Sequence, residues 1–130
     1  GFYPERLEEA IKEGLVDYIA MDIKSSKENY DAAVGIPSID ISPVIKSVEL
    51  IMSSGIDYEF RTTAVKGLHV VSDFERIGEW IKDAKRYFIQ QFIDSGDLIS
   101  NTFEAFSKEE TETLLATVRK TVPNAEIRGL

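Results

Sequence analysis

The chain has 130 residues, 43% hydrophobic and 29% charged, values that fit one soluble globular domain and not a disordered segment. Its formal net charge is −8, from 23 acidic and 15 basic residues, which argues against nucleic acid or an anionic membrane surface as a partner. No apolar run approaches the roughly 20 residues of a membrane helix, and the absence of cysteine removes disulfides, thiolate nucleophiles and thiolate metal sites.

The opening Gly1-Phe2-Tyr3-Pro4 has neither a basic region nor an apolar signal core, so a cytoplasmic location is expected. The sequence starts without methionine and enters a helix pattern almost at once, as a processed, trimmed or incomplete chain would. The pattern predicts a helix from Pro4 to Glu13, with proline at the first helical position, Leu7, Ala10 and Ile11 as its apolar stripe and Gly14 ending it. Leu15 to Lys24 reads as a strand, and its continuous apolar middle is the pattern of a strand buried on both faces.

Ser25 to Ile41 is a long connection with a short helix expected near Lys27 to Val34. Ser42-Pro43 predicts the start of the next helix, with Ser42 as cap, Val44, Ile45, Val48, Ile51 and Met52 on one face, and Gly55 closing it. Asp57 to Val65, rich in aromatic and β-branched residues, predicts a second strand. Ser72-Asp73-Phe74-Glu75 has capping-box spacing, and its helix turns Phe74, Ile77, Ile81 and Ala84 inward. Tyr87 to Ile93 is the third strand, followed by a long connection from Asp94 to Phe106. Ser107-Lys108-Glu109-Glu110 is a second capping box, its helix carrying Leu114, Leu115 and Val118 and stopped by Pro123; Asn124 to Gly129 forms a short last strand. Helix and strand thus alternate four times, which predicts one α/β domain over residues 1–130: a mostly parallel sheet joined by helical crossovers. Both long connections follow a strand's carboxyl end, the side where such folds bind ligands.

Asp22 and Lys24, two apart at a strand end, share a face. A carboxylate beside an ammonium suits a zwitterionic ligand; it also suits a solvated end with a weak ion pair. Arg61 sits mid-strand with Glu59 and Thr63 on its face, so it pairs with Glu59 or a neighbour, or reaches a bound anion. Gln90 and Phe92 share a face of the third strand, and the Gln90 amide needs partners from facing polar groups or from a ligand. His69 is the single histidine; it reads as an exposed loop residue, with a hydrogen bond to a ligand as the alternative, and it cannot make a metal site alone. No P-loop, Gly-x-Gly-x-x-Gly fingerprint or Gly-x-Ser-x-Gly elbow is present.

Three strand segments in order carry a resemblance. Asp17-Tyr18-Ile19-Ala20-Met21-Asp22-Ile23-Lys24 resembles the Asp-x-Lys strand of glycyl-radical-enzyme activating proteins of the radical S-adenosylmethionine type. Tyr58-Glu59-Phe60-Arg61-Thr62-Thr63 with Gly67-Leu68-His69, and Arg86-Tyr87-Phe88-Ile89-Gln90-Gln91-Phe92, resemble the next two strands of that family. Within it the similarity leans to anaerobic ribonucleoside-triphosphate reductase activating proteins, then to pyruvate formate-lyase activating enzymes. The resemblance implies the carboxyl-terminal portion of a partial, TIM-like (β/α)6 barrel with helices outside. It implies S-adenosylmethionine and a [4Fe–4S] cluster as cofactors, cleavage giving a 5′-deoxyadenosyl radical, and a glycyl radical enzyme as partner. By the resemblance Asp22 and Lys24 lie near the methionine end of the cofactor, Asp22 also helps hold a monovalent cation, Arg61 lines the cofactor pocket, and Gln90 and, more weakly, His69 join it.

The family's Cys-x3-Cys-x2-Cys motif and the glycine-rich segment for the cofactor's amine have no counterpart here. The expectation is that roughly ninety residues of barrel precede Gly1 in a longer parent. No cluster is expected in this chain, and the chain alone is expected to be inactive. Half a barrel would leave a strand edge open to self-association or to a partner chain. The competing readings are a non-catalytic α/β domain that binds a small ligand at the strand tips, or a half-barrel that acts only in assembly.

Overall fold

In the computed structural model, which describes residues 3–92 and 104–128, helices alternate with four strands. The order is α1 (Pro4–Lys12), β1 (Tyr18–Asp22), a 3-10 turn (Lys27–Asn29), α2 (Tyr30–Val34), α3 (Ser42–Ser53), β2 (Asp57–Ala64), α4 (Val71–Trp80), β3 (Tyr87–Gln91), α5 (Lys108–Arg119) and β4 (Glu126–Arg128). The strands lie in sequence order in one sheet, and every pairing is parallel. This is the α/β layout expected from the alternation, and it is consistent with part of a TIM-like barrel. The connection between Asp94 and Phe106 falls largely outside the described residues.

Side chains alternate faces along each strand. One face supplies Ile19, Met21, Phe60, Tyr87 and Ile89 to the core. They pack beneath Val44, Val48 and Ile51 of α3, Phe74 and Ile77 of α4, and Leu114 and Val118 of α5. Each such side chain contributes about 1.5–3 kcal/mol by leaving water. The other face carries Tyr18, Ala20, Asp22, Glu59, Arg61, Thr63, Phe88, Gln90 and Arg128. It has no helix over it among the described residues.

Three local readings are corrected. β1 is buried on one face only, because Tyr18, Ala20 and Asp22 lie on the uncovered side and are exposed. Ser42 does not cap α3: the helix begins at Ser42, and the Asp40 carboxylate accepts both the Ser42 amide, at 3.0 Å, and its hydroxyl, at 2.6 Å. Ser72 does not cap α4 either. That helix starts at Val71, and Asp73 Oδ2 accepts the Val70 amide at 2.9 Å. At α5 the box forms as read: Glu110 N donates to Ser107 Oγ (3.1 Å), and Ser107 N donates to Glu110 Oε1 (2.9 Å). Gly55, at φ 76°, makes the turn from α3 into β2 that a side chain would strain. No helix among the described residues is long and apolar enough to cross a membrane.

Candidate functional site

Asp22 is the last residue of β1, and its register partner in β2 is Arg61. Both side chains therefore rise from the uncovered face at the carboxyl end of the sheet. Arg61 Nε donates to Asp22 Oδ1 at 3.0 Å. Lys24, two residues past Asp22, brings Nζ to 3.6 Å from Asp22 Oδ2. Of the two neighbours read for Arg61 from the sequence, the structure pairs its guanidinium with Asp22 across the strands and not with Glu59.

The three side chains are 48%, 31% and 53% exposed for Asp22, Arg61 and Lys24. Ion pairs this accessible stabilise by about 0–1 kcal/mol, so an incoming charged group can replace them at small cost. Two cations against one carboxylate leave one positive charge in excess, which favours a ligand carboxylate. Asp22 in turn offers acceptors to an ammonium, so the set complements an amino-acid-like zwitterion. A cleft of about 410 Å³ runs along β1 beside the cluster, lined by Ala20, Asp22, Lys24, Tyr30 and Arg61 among others. A smaller hollow of about 190 Å³ at the strand tips is lined by Asp22, Lys24, Thr63, Leu68 and His69.

Gln90 is on the same face, half-buried, in register with Thr63 on one side and Arg128 on the other. It is adjacent to the charged trio and not part of it. His69 is not an exposed loop residue: it is 4% exposed. Val65 N donates to its Nδ1 at 3.1 Å, and its Nε2 lies 2.8 Å from the Lys24 carbonyl oxygen. Both ring nitrogens are engaged by backbone, so the imidazole has none left for a ligand.

Sequence reasoning did not find the network further down the same face. Tyr18 Oη donates to Glu59 Oε1 (2.8 Å), Arg128 Nη1 donates to Glu59 Oε2 (2.9 Å), and the Arg128 guanidinium lies 3.7 Å from the centre of the Phe88 ring. Burial acts to raise the Glu59 pKa, but the hydrogen bonds from Tyr18 and Arg128 and the charges of Arg128 and Arg61 outweigh it and hold the carboxyl below its ordinary value. Loss of solvation, then the bond to the Glu59 carboxylate, raises the Tyr18 hydroxyl. The i, i+2 spacing from Arg61 points to Glu59; Tyr18 and Arg128 become its partners only through strand order.

No group of three or more metal-ligating side chains is found among the described residues. The chain's residues do not fit an iron–sulfur cluster, since no cysteine is present to supply thiolates.

No protein-family model matches the sequence. Over 136 aligned positions, covering the whole chain, it is 31% identical to a Methanocaldococcus jannaschii protein provisionally named a glycyl-radical enzyme activating enzyme. The chain spans 56% of that protein's length. In structure it is similar to a domain of pyruvate-formate lyase-activating enzyme from Bacteroides vulgatus, with a TM-score of 0.71, 12% identity, 93% of this chain and 74% of that chain covered. The first likeness relates the sequence to an activating enzyme of glycyl-radical enzymes; the second establishes a shared fold.

Proposed function

We propose that the chain is the carboxyl-terminal portion of a radical S-adenosylmethionine activating enzyme and supplies the part of its pocket that grips the methionine end of the cofactor. The observation that carries this is the convergence of Asp22, Lys24 and Arg61 at the carboxyl end of parallel strands. The likeness of the whole chain to 56% of a protein provisionally named a glycyl-radical enzyme activating enzyme supports it. Lys24 and Arg61 pair with the ligand carboxylate, Asp22 accepts from its ammonium and helps hold a monovalent cation, and Gln90 offers its amide from the neighbouring strand.

When bound and reductively cleaved, S-adenosylmethionine supplies the radical that abstracts hydrogen from a glycine of the partner. No residue of this chain would hold the cluster that supplies the electron for that cleavage, so the chain alone would be inactive in that chemistry. The partner is a glycyl radical enzyme; the motif resemblance favours anaerobic ribonucleoside-triphosphate reductase. The outer edge of β1 has no partner strand among the described residues. Either a preceding strand of the parent or a second copy covers it.

The test is a titration of the ¹⁵N-labelled chain with S-adenosylmethionine to several millimolar, followed by NMR. Shift changes confined to the region of Asp22, Lys24, Arg61, Thr63 and Gln90 are expected, and Arg61→Ala is expected to abolish them. Changes elsewhere, or none at all, overturn the reading. A non-catalytic ligand-binding domain would take a different small molecule at the same tips and leave S-adenosylmethionine without effect.

A further inference from the structure

We propose that His69 is a positioning residue that clamps the tip of β1 to β2 and so fixes where Lys24 presents its ammonium; this rests on the cofactor reading above. The β1–β2 ladder passes through Asp22 and Arg61 and runs out just before Lys24. Its last contacts are the Ile23 amide to the Arg61 carbonyl, at 2.7 Å, and the Thr62 hydroxyl to the Ile23 carbonyl, at 2.6 Å. One residue further on, Lys24 would be an untied loop residue carrying a functional side chain.

Two buried side chains take over. The Lys24 amide donates to Tyr30 Oη at 3.3 Å, and the Lys24 carbonyl faces His69 Nε2 at 2.8 Å. Tyr30 and His69 are 2% and 4% exposed. The imidazole is itself oriented from the β2 side, because Val65 N–H points at Nδ1 and the His69 amide donates to the Val65 carbonyl at 2.9 Å. The Phe74 ring stands edge-on to it, 5.6 Å between centroids.

That geometry also fixes the tautomer. A backbone N–H can only donate, so Nδ1 accepts and carries no proton. The ring proton therefore sits on Nε2 and is donated to the Lys24 carbonyl. His69 thus reads the end of β2 with one nitrogen and holds the end of β1 with the other. A ligand-facing ion pair is only as well placed as the backbone that bears it, and site geometry loosened by a fraction of an ångström loses binding.

Two substitutions separate clamping from folding. His69→Asn keeps an acceptor near the Nδ1 position for Val65 but is too short to reach Lys24. His69→Gln places an amide donor where Nε2 was. Both are expected to fold, checked by thermal melts. Asparagine should weaken S-adenosylmethionine binding about tenfold, the equivalent of one lost hydrogen bond, while glutamine should stay within about threefold of the unmodified chain. A long-range ¹H–¹⁵N imidazole spectrum of the unmodified chain should show Nε2 protonated and Nδ1 bare. A spectrum with Nδ1 protonated overturns the clamp without touching the cofactor reading. Equal affinities of the two variants, or undiminished affinity in the asparagine variant, overturn the positioning role. If the unmodified chain does not bind S-adenosylmethionine at all, the cofactor reading falls and the role assigned to His69 falls with it, whatever the imidazole spectrum shows.

Discussion

Asp73 is the residue whose removal should unravel the floor of the site, and the size of the effect follows from its partners. It is 1% exposed. Its Oδ1 accepts from Ser26 Oγ at 3.0 Å and from Asn29 Nδ2 at 2.5 Å, and its Oδ2 accepts the Val70 amide at 2.9 Å. One carboxylate therefore ties the start of α4 to the segment that follows β1. Hydrogen bonds to a charged group contribute about 1.5–3 kcal/mol each, and buried donors left without an acceptor cost about 1–3 kcal/mol, terms that do not simply add. Asp73→Ala should lose about 3–5 kcal/mol, a large fraction of the roughly 5–15 kcal/mol that holds a domain together. With a urea slope of about 1–3 kcal/mol/M, the midpoint should fall by about 2 M. Asp73→Asn should lose less, since it keeps one acceptor.

The pH dependence supplies an independent check. Burial works to raise the Asp73 pKa, but the hydrogen bonds from Val70, Asn29 and Ser26 prevail and lower it. A depressed carboxylate contributes stability that is complete above its unfolded value of about 4 and is lost as pH falls through the folded value. The advantage of the unmodified chain over Asp73→Asn should therefore shrink as urea titrations move from pH 6 toward pH 3 (values chosen to bracket the ordinary aspartate range of about 4). A loss under about 1 kcal/mol for the alanine variant, or a gap that stays constant with pH, would refute the reasoning.

Two further outcomes are expected. Gly78→Ala should destabilise by about 1–2 kcal/mol, because a Cβ there would lie 2.5 Å from Thr121 Oγ1, where α4 meets the end of α5, and a second substitution Thr121→Ala should recover part of the loss in a double-mutant cycle. Glu59→Gln should cost about 1–3 kcal/mol, since its side chain is 9% exposed and holds both Tyr18 and Arg128, whereas Asp22→Asn should cost less than about 1 kcal/mol; urea titration of the two variants checks the ordering, and its reversal would show that Glu59 is not the anchor of that face.

The periodicities that define helix and strand were legible because each element buries one stripe or one face, and the residues read as inward there, Phe74 and Ile77 in α4 and Ile81 and Ala84 just past its end, are all buried. Capping shows where spacing stops being informative. Ser107 and Ser72 stand at the same distance from a glutamate, yet only Ser107 caps. At α4 the adjacent Asp73 takes the amide of Val70 instead, because it is the acceptor turned into the interior. β1 looked apolar on both faces because Ala20 and Tyr18 count as apolar even where no helix covers them. In the site, the two-residue spacing was enough to put Asp22 beside Lys24. Joining Arg61 to Asp22 required the strand register, which pairs residues 39 apart. His69 was opaque for the same reason: its partner carbonyl at Lys24 is 45 residues away, and nothing local to a lone histidine reports it.

The uncovered face is polar in two different ways, and the difference has a functional consequence. One step below Arg61 on its strand, Glu59 is engaged by Tyr18 and by Arg128, which reaches back from the level of Gln90 and stacks on Phe88, so side chains from all four strands are tied together. The Glu59 carboxylate, with its side chain 9% exposed, resists exchange because removing either donor leaves a nearly enclosed acceptor unpaired. Toward the carboxyl end, Asp22, Lys24 and Arg61 are exposed and held by pairs of about 0–1 kcal/mol each. Arg61 follows Glu59 by two residues on the same face, so the exchangeable cluster stands directly on the rigid one. Such a gradient favours a ligand at one end of the sheet only: the guanidinium can turn from Asp22 to an incoming carboxylate while the backbone that carries it stays fixed.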